Sequence, residues 1–225
     1  MSASLILPAH NQEPTIREVV LELLEHIPNC EIIVVCNGCS DNTAGVVRDL
    51  NDRRVQCLEL SEAKKGLAIV EGLKHAKYEI AGFVDTDGAF SGKDVARLLG
   101  HINGSDCAIA SKWKGVTFAE VNEPFGRKVM SRAYNVLVRS LLGLSFSDTQ
   151  AGLKIFKKSV YDTISHDFIC HGFDFDVELL LKFKRAEYRI KEEFVPTRKT
   201  LKTSFRFRHT VGMLWDLLRL SLKRT

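Results

Sequence analysis

Asp85 and Asp87 flank Thr86 where the apolar run of IAGFVDTDGAF ends. In an extended segment, residues two apart project to the same side. Two carboxylates placed so can share one hard divalent cation, whose other coordination sites go to water and phosphate oxygens. Such a cation would neutralise a diphosphate and stabilise it as a leaving group. The same residues also suit a solvated turn in which Asp and Gly simply end a strand. A second candidate is the C-x-x-C pair in Cys36-Asn37-Gly38-Cys39, directly after the apolar run EIIVVC. Its position fits a thiol redox pair with a lowered pKa, or a ligand loop in which Asn-Gly makes the turn. A zinc site would need a second close Cys/His pair, and Cys30, Cys57, Cys107 and Cys170 do not supply one.

The elements that must position these residues alternate along the first half. SLILPAH, EIIVVC, VQCLEL, IAGFVD and DCAIAS read as strands. Between them, Ile16, Val19, Val20, Leu23 and Leu24 recur at helical spacing, and Val46, Val47 and Leu50 follow Ser40 or Asp41 as N-cap. Further helices are expected over residues 66–76 and 92–102. This alternation predicts an α/β fold with a mostly parallel sheet covered by helices on both faces. Ligands of such sheets bind beyond the carboxyl ends of the strands. The segments to inspect are therefore residues 8–13, 36–41, 85–90 and 111–115. After Val116 come a long amphipathic helix over 127–142, SDTQAGLKIF, a helix over 175–184, the strand YRIKEEFVP, a basic loop and the helix HTVGMLWDLLRLSL.

The 225 residues are 45% apolar and carry a net charge of +4, the composition of a globular chain with a sizeable core. The charge is asymmetric: from residue 182 onward, 13 Lys and Arg stand against 4 Asp and Glu, leaving the remainder at −5. A basic C-terminal region implies an anionic partner: phosphate, nucleic acid or a lipid surface. No stretch reaches the roughly 20 apolar residues of a membrane span, and the N-terminus lacks a signal-peptide pattern. Six scattered cysteines without such a signal suggest reduced thiols in the cytosol.

The order and spacing of LILPAHNQEPTI, VVCNGCSDNT, KKGLAIVEGLKHA, FVDTDGAF, SDTQAGLKIF, GFDFDVELL, YRIKEEFVP and GMLWDLLR resemble glycosyltransferase family 2 nearly end to end. Within it, the chain is most similar to the polyprenyl-phosphate sugar transferases. The resemblance implies a GT-A type, Rossmann-like fold in one domain, 1–225. Residues 1–115 would be its nucleotide-sugar half, 116–208 its acceptor half and 209–225 an amphipathic C-terminal helix. It implies an inverting, metal-dependent transfer of glucose or mannose from a nucleoside diphosphate sugar to a polyprenyl phosphate. Mg²⁺ or Mn²⁺ is the expected cofactor, and no nucleic acid is expected as partner. The expected location is the cytoplasmic face of a membrane, held peripherally through the basic amphipathic C-terminal region.

Residue by residue, the resemblance assigns Pro8, His10, Gln12, Glu13, Val35, Asn37, Asp85, Thr86, Asp87 and Lys112 to the nucleotide sugar, with Asp85 and Asp87 as the metal pair. His10 stands where the family usually has an aromatic, and Gln12 where it has Glu, so Glu13 could supply the missing carboxylate. Asn37 replaces the Asp that reads the base; an amide both donates and accepts where a carboxylate only accepts, so the base stays open. Lys112 replaces an Arg and keeps a point charge without bidentate geometry. Asp148 matches a carboxylate near the reaction centre. A lipid phosphate needs positive charge to position it more than a base to deprotonate it. Arg127, Arg132 and Lys128 suit that role, or else form a solvated helix face. Arg198 and Lys202 in TRKTLKTSFRFRH match the family's basic phosphate loop.

Two alternatives stay open. One keeps the donor chemistry but uses a hydroxyl acceptor, with Asp148 or Glu178 as base. The other is a non-catalytic nucleotide-binding module that attaches to membranes. A nucleotidyltransferase is disfavoured because no glycine-rich phosphate loop follows the first strand.

Overall fold

The computed structural model describes residues 1–121, 123–198 and 209–222. Among them, strands β1 (Ala3–Ala9), β2 (Cys30–Asn37), β3 (Val55–Leu60), β4 (Ile80–Val84), β5 (Cys107–Ser111), β6 (Leu153–Lys157) and β7 (Ile190–Phe194) form one sheet. Its order is β3-β2-β1-β4-β6-β5-β7. Strands β3, β2, β1 and β4 run parallel, as do β5 and β7, while β6 is antiparallel to both of its neighbours.

The central strands are apolar at nearly every position because both sheet faces are covered. Leu5 and Leu7 of β1 and Ile32 and Val34 of β2 pack on one side with α1 (Ile16–His26), α2 (Thr43–Arg48) and α4 (Gly92–Gly100). Ile6, Ile33 and Val35 point to the other side, with α3 (Lys65–Lys74), α5 (Phe125–Leu142), α6 (Lys158–Ile164), α7 (Phe175–Arg185) and α8 (His209–Leu222). All five apolar positions read from the sequence of α1 are buried, each contributing about 1.5–3 kcal/mol of transfer free energy.

Val35 corrects the sequence reading. It is fully buried in the second core layer, not at the ligand edge. Asn37 lies on the same strand face two residues on, where β2 ends; Val35 is one pleat lower, beneath α3. Gly72 of α3 approaches so closely that a Cβ there would stand 3.1 Å from Val35 Cγ2 and 2.6 Å from Ile6 Cγ2.

Strand β6 has the largest consequence for the site. Its register sets Lys154 opposite Phe83 and Leu153 opposite Val84. The next backbone bond, from the Asp85 N–H to the Gly152 carbonyl (2.7 Å), lays the DTQAG segment directly beside the DTD segment. At Gly82 of β4 a Cβ would stand 2.3 Å from the Lys154 carbonyl oxygen, so a side chain there would push the two strands apart.

Helix α7 is anchored by three acids at its start. Glu178 accepts the Ile169 and Cys170 N–H groups of the preceding loop, and Asp176 pairs with lysines from α3 and β6. Asp174 accepts the Tyr134 hydroxyl from α5. Burial pushes the Asp174 carboxyl up from 3.8 to about 7; the Tyr134 hydroxyl offsets part of this, and Asp216 and Asp176 add to it. The fold thus favours protonated Asp174, and that contribution is full below the unfolded value and lost as pH rises through about 7. Asp174→Asn keeps an acceptor for Tyr134 and removes the charge. In thermal melts it should exceed the wild type by roughly 3 °C or more at about pH 8, the gap closing near pH 4.

Candidate functional site

Three loops at the carboxyl ends of β1, β2 and β4 are laced into one unit. The Gln12 N–H donates to Thr43 Oγ1 (2.9 Å) at the start of α2. Glu13 N–H donates to Asp41 (3.1 Å), and Glu13 accepts the Asn42 N–H (3.1 Å). His10 Nδ1 lies 2.8 Å from the Asn37 carbonyl. Asn11, held in the left-handed region at φ 53°, accepts the Ser40 N–H (2.8 Å). Thr86 joins the third loop: its hydroxyl donates to the Pro8 carbonyl (3.0 Å), and its own carbonyl accepts from Thr15 (3.2 Å). Pro8, His10, Gln12, Glu13, Asn37 and Thr86 are therefore gathered at one sheet edge, most of them through backbone groups. Asn37 Oδ1 is buried with no partner among the described residues; an unmade bond of that kind costs about 1–3 kcal/mol until a ligand donor meets it.

Beneath the DTD turn runs an alternating chain of charges. Lys154, fully buried on β6, pairs with Asp176, and its Nζ also donates to the Ala151 carbonyl (2.7 Å). Asp176 lies 3.1 Å from Lys65 Nζ, and the same ammonium is 2.9 Å from Asp85 Oδ1. Burial pulls the Lys65 pKa down, but the carboxylates of Asp176 and Asp85 more than offset it and leave it raised. Burial likewise pushes Asp176 up, and the two lysines outweigh it, so Asp176 stays ionised. Each buried charge has an opposite neighbour, the condition under which such groups are tolerated. Gly152 completes the cradle: a Cβ there would lie 1.8 Å from Asp85 Oδ2.

Asp87 is different. Among the described residues it makes no ion pair; its carboxylate accepts only the Ala89 N–H (3.1 Å). Burial and then the neighbouring Asp85 raise it to about 6, with Lys65 and Arg127 acting in the opposite direction. Among the described residues, the two like charges share one paired lysine, and their mutual repulsion raises Asp87. The described residues contain no group of three His, Cys, Asp or Glu side chains able to hold a metal ion. Asp85 and Asp87 could take one only with oxygens supplied by a ligand.

The second half contributes the opposite wall. Asp148 is buried and accepts N–H bonds from Gln150 (3.2 Å) and Lys112. Burial raises its carboxyl, with Lys112 and Lys154 offsetting part of the shift. Glu192 fixes this turn by accepting the Ser147 and Asp148 N–H groups (2.7 and 2.9 Å). Lys112 pairs with Glu123 (2.8 Å). The three cations expected to act together on α5 are split. Lys128 donates to the Phe118 and Val121 carbonyls (2.8 and 3.1 Å), and Arg132 lies over the Trp113 ring and donates to the Ser147 carbonyl (3.2 Å). Both fasten loops, whereas Arg127 is exposed and acts on Asp87.

Arg198 forms a bidentate pair with Glu22 of α1 (2.8 and 3.0 Å), and its N–H donates to the Ala89 carbonyl (2.9 Å). It borders the DTD loop, but its guanidinium is engaged by a carboxylate. Lys202 lies outside the described residues. The six cysteines are free thiols, with Cys36 Sγ 3.9 Å from Cys57 Sγ. Cys39 donates to the Ala9 carbonyl (3.2 Å) and so helps join the first two loops. Sequence reasoning gave no role to Lys65, Lys154, Gly152 or Glu192. All four lie within the motifs KKGLAIVEGLKHA, SDTQAGLKIF and YRIKEEFVP, and that is the available signal.

Comparison with known proteins fits this geometry. The profile described as "Glycosyl transferase family 2" matches residues 4–165. The chain is similar to glycosyltransferase AglD of Haloferax volcanii, 28% identical over 203 residues, which cover 85% of this chain and 32% of that protein. It is also similar to dolichyl-phosphate beta-glucosyltransferase ALG5D of Trichomonas vaginalis, 26% identical over 237 residues, 97% of this chain and 72% of that one. The chain thus spans about a third of the length of AglD and most of ALG5D. Among solved structures, glucosyl-3-phosphoglycerate synthase from Mycobacterium tuberculosis, crystallised with Mn²⁺, UDP and glucosyl-3-phosphoglycerate, superposes with a TM-score of 0.73 at 18% identity. The match covers 98% of this chain and 78% of that one, which places the fold as GT-A type.

The cradle yields a direct test. Gly152→Ala should displace the Asp85 carboxylate from Lys65 and weaken calorimetric binding of a nucleoside diphosphate with Mn²⁺ by about tenfold or more. Gly100→Ala, where an added Cβ meets nothing within 4 Å, should leave binding unchanged.

Proposed function

Since the chain belongs to glycosyltransferase family 2, we propose that it transfers a hexose, glucose or mannose, from a nucleoside diphosphate sugar to a polyprenyl phosphate, with inversion. The observation that carries this reading is the asymmetry of the DTD pair: Asp85 is paired with Lys65, while Asp87 makes no ion pair among the described residues, is acted on by Lys65 and Arg127 only at longer range, and stands at the sheet edge where ligands of such folds bind.

In this reading Asn37 meets the base with its unpartnered amide oxygen, and His10, Gln12 and Glu13 shape the pocket around the nucleoside. Asp87, with Asp85, would hold Mg²⁺ or Mn²⁺ against the diphosphate. That cation supplies charge neutralisation of the leaving group. The acceptor phosphate is already an anion, so its attack on the sugar requires placement more than proton removal. Arg127 supplies the exposed positive charge, and Lys112 and Asp148 form the wall that orients the reacting groups. Arg198 and Lys202 belong to the basic segment assigned to phosphate contacts, and the C-terminal region to the membrane surface. The similarity to a dolichyl-phosphate glucosyltransferase supports the lipid acceptor. Among the described residues no helix is long and apolar enough to cross a membrane; the reading places the chain peripherally at the cytoplasmic face, through its basic C-terminal region.

Purified protein given UDP- and GDP-hexoses, divalent metal and polyprenyl phosphate in detergent should form lipid-linked hexose and release nucleoside diphosphate. Asp87→Ala should reduce turnover by about 10²-fold or more. Transfer to a hydroxyl acceptor but not to the lipid phosphate would favour Asp148 as general base instead. No transfer from any donor, with Asp87→Ala binding donor like the wild type, would defeat the reading.

A further inference from the structure

Three thiols, Cys36, Cys39 and Cys57, gather where β2 ends. Cys36 is the central one: its Sγ lies 3.9 Å from that of Cys57 and within hydrogen-bonding reach of that of Cys39. Asn37 and Gly38 are the two residues between Cys36 and Cys39. Among the described residues no three His, Cys, Asp or Glu side chains are placed to hold a metal ion, so the chemistry open to the cluster is between sulfurs.

The thiols differ in kind. Cys36 is buried, while Cys39 and Cys57 are half-buried. A hydrogen bond from the Cys36 thiol brings Cys39 down to about 6 against burial, with the Asn11 N–H (3.4 Å) and Thr43 adding to it. The Ala9 carbonyl opposes this, because it accepts only from the protonated thiol (3.2 Å). Hydrogen bonding to Cys39 and Cys57, and then burial, hold the proton on Cys36. A thiol that keeps its proton beside one that gives it up matches a resolving and an attacking cysteine. Burial pushes Cys30, Cys107 and Cys170 up, which makes them inert.

Strand geometry decides which pair can join. Cys57 lies opposite Val34, and Cys36 opposite Glu59, so Cys36 and Cys57 are diagonal neighbours with Cα atoms roughly 8 Å apart at ordinary strand spacing and rise. A disulfide needs Cα atoms within about 7 Å, so that bond would pull β2 and β3 out of register. Cys39 is off the ladder. Gly38, at φ 61°, turns the chain after Asn37 and brings Cys39 back to Cys36.

We propose that Cys36 and Cys39 are an oxidation site at which a hydroperoxide closes a disulfide across the Asn37-Gly38 turn. The Cys39 thiolate attacks a peroxide oxygen: the S–O bond forms, the O–O bond breaks, and the leaving oxygen takes up the proton that Cys39 released. The Cys36 sulfur then attacks the sulfenic sulfur. The S–S bond forms, and hydroxide leaves with the Cys36 proton as water. The two thiols lose two electrons in all, and the peroxide gains them.

The disulfide removes the loop's present fastening. Cys39 Sγ leaves the Ala9 carbonyl and the Asn11 N–H, the contacts through which it ties the first loop to the second. The turn tightens where His10 Nδ1 meets the Asn37 carbonyl (2.8 Å) and the Gly38 N–H meets the Leu60 carbonyl (2.8 Å). Gly38 has little room to follow, since a Cβ there would lie 2.9 Å from the Ala63 nitrogen. Oxidation therefore displaces the residues assigned to the base and weakens nucleotide binding. That consequence rests on the proposed nucleotide-sugar donor; the disulfide does not.

Hydrogen peroxide treatment of the full chain, then alkylation and tryptic mapping, locates the bond. Residues 18–48 form one tryptic peptide, which should lose two hydrogens and resist alkylation at Cys36 and Cys39 until dithiothreitol is added. Cys36→Ser should leave Cys39 as a sulfenic acid that dimedone traps, and Cys57→Ser should form the disulfide as the wild type does. Amide exchange over residues 9–13 should quicken on oxidation. Calorimetric binding of UDP or GDP with Mn²⁺, whichever the reduced chain holds better, should weaken by about tenfold or more. No disulfide in the wild type, a cross-link from residues 18–48 to the peptide holding Cys57, or unchanged exchange and binding in the oxidised chain overturns the inference. If only the donor reading fails, neither form binds nucleotide, and the disulfide and the faster exchange persist.

Discussion

The site depends on one ammonium group. Lys65 Nζ sits between Asp176, in the protein interior, and Asp85, at the ligand edge. It is the link through which the buried pair formed by Lys154 and Asp176 reaches the surface. Lys154 and Asp176 are buried and costly to desolvate, and removing either strands the other at a cost of about 3–5 kcal/mol. Such a chain is an expensive way to stabilise a fold and an effective way to fix a carboxylate. Asp85 is fastened at its backbone by Gly152, at its side chain by Lys65, and kept in place by the missing Cβ of Gly152.

Fixing Asp85 leaves Asp87 with no ion pair among the described residues, Lys65 and Arg127 acting on it only at longer range. One acid of the pair is satisfied by a lysine, and the other accepts a single backbone N–H. The same division runs through the cations of α5: Lys128 and Arg132 close loops on backbone carbonyls, and Arg127 stays exposed. Preorganisation of this kind spends folding free energy to reduce reorganisation when ligand arrives.

The parallel half of the fold was legible because its signals are local. The apolar runs of β1, β2 and β4, and the spacing of Ile16, Val19, Val20, Leu23 and Leu24 on α1, each declare an element within a few residues. Strand β6 was not read. Lys154 in the middle of GLKIF looks like a polar interruption, and only Asp176, 22 residues on, makes its burial tolerable. Val35 was misplaced because two residues on one strand face share direction but not depth, and depth is set by α3. The charge chain was invisible for the same reason as β6: Lys65 and Asp176 lie 111 residues apart. Asp85 and Asp87 were found from their spacing, yet their difference in role comes from partners that no local spacing encodes.

The central claim is that Lys65 acts through Asp85 in holding the donor diphosphate. A double-mutant cycle with Lys65→Met, Asp85→Asn and the combined variant, read as calorimetric binding of nucleoside diphosphate with Mn²⁺, measures that coupling directly. The account predicts a coupling of about 1 kcal/mol or more, so that the second substitution costs little once the first is made. Additive losses, within roughly 0.3–0.5 kcal/mol, would mean that the two residues act independently and would contradict it.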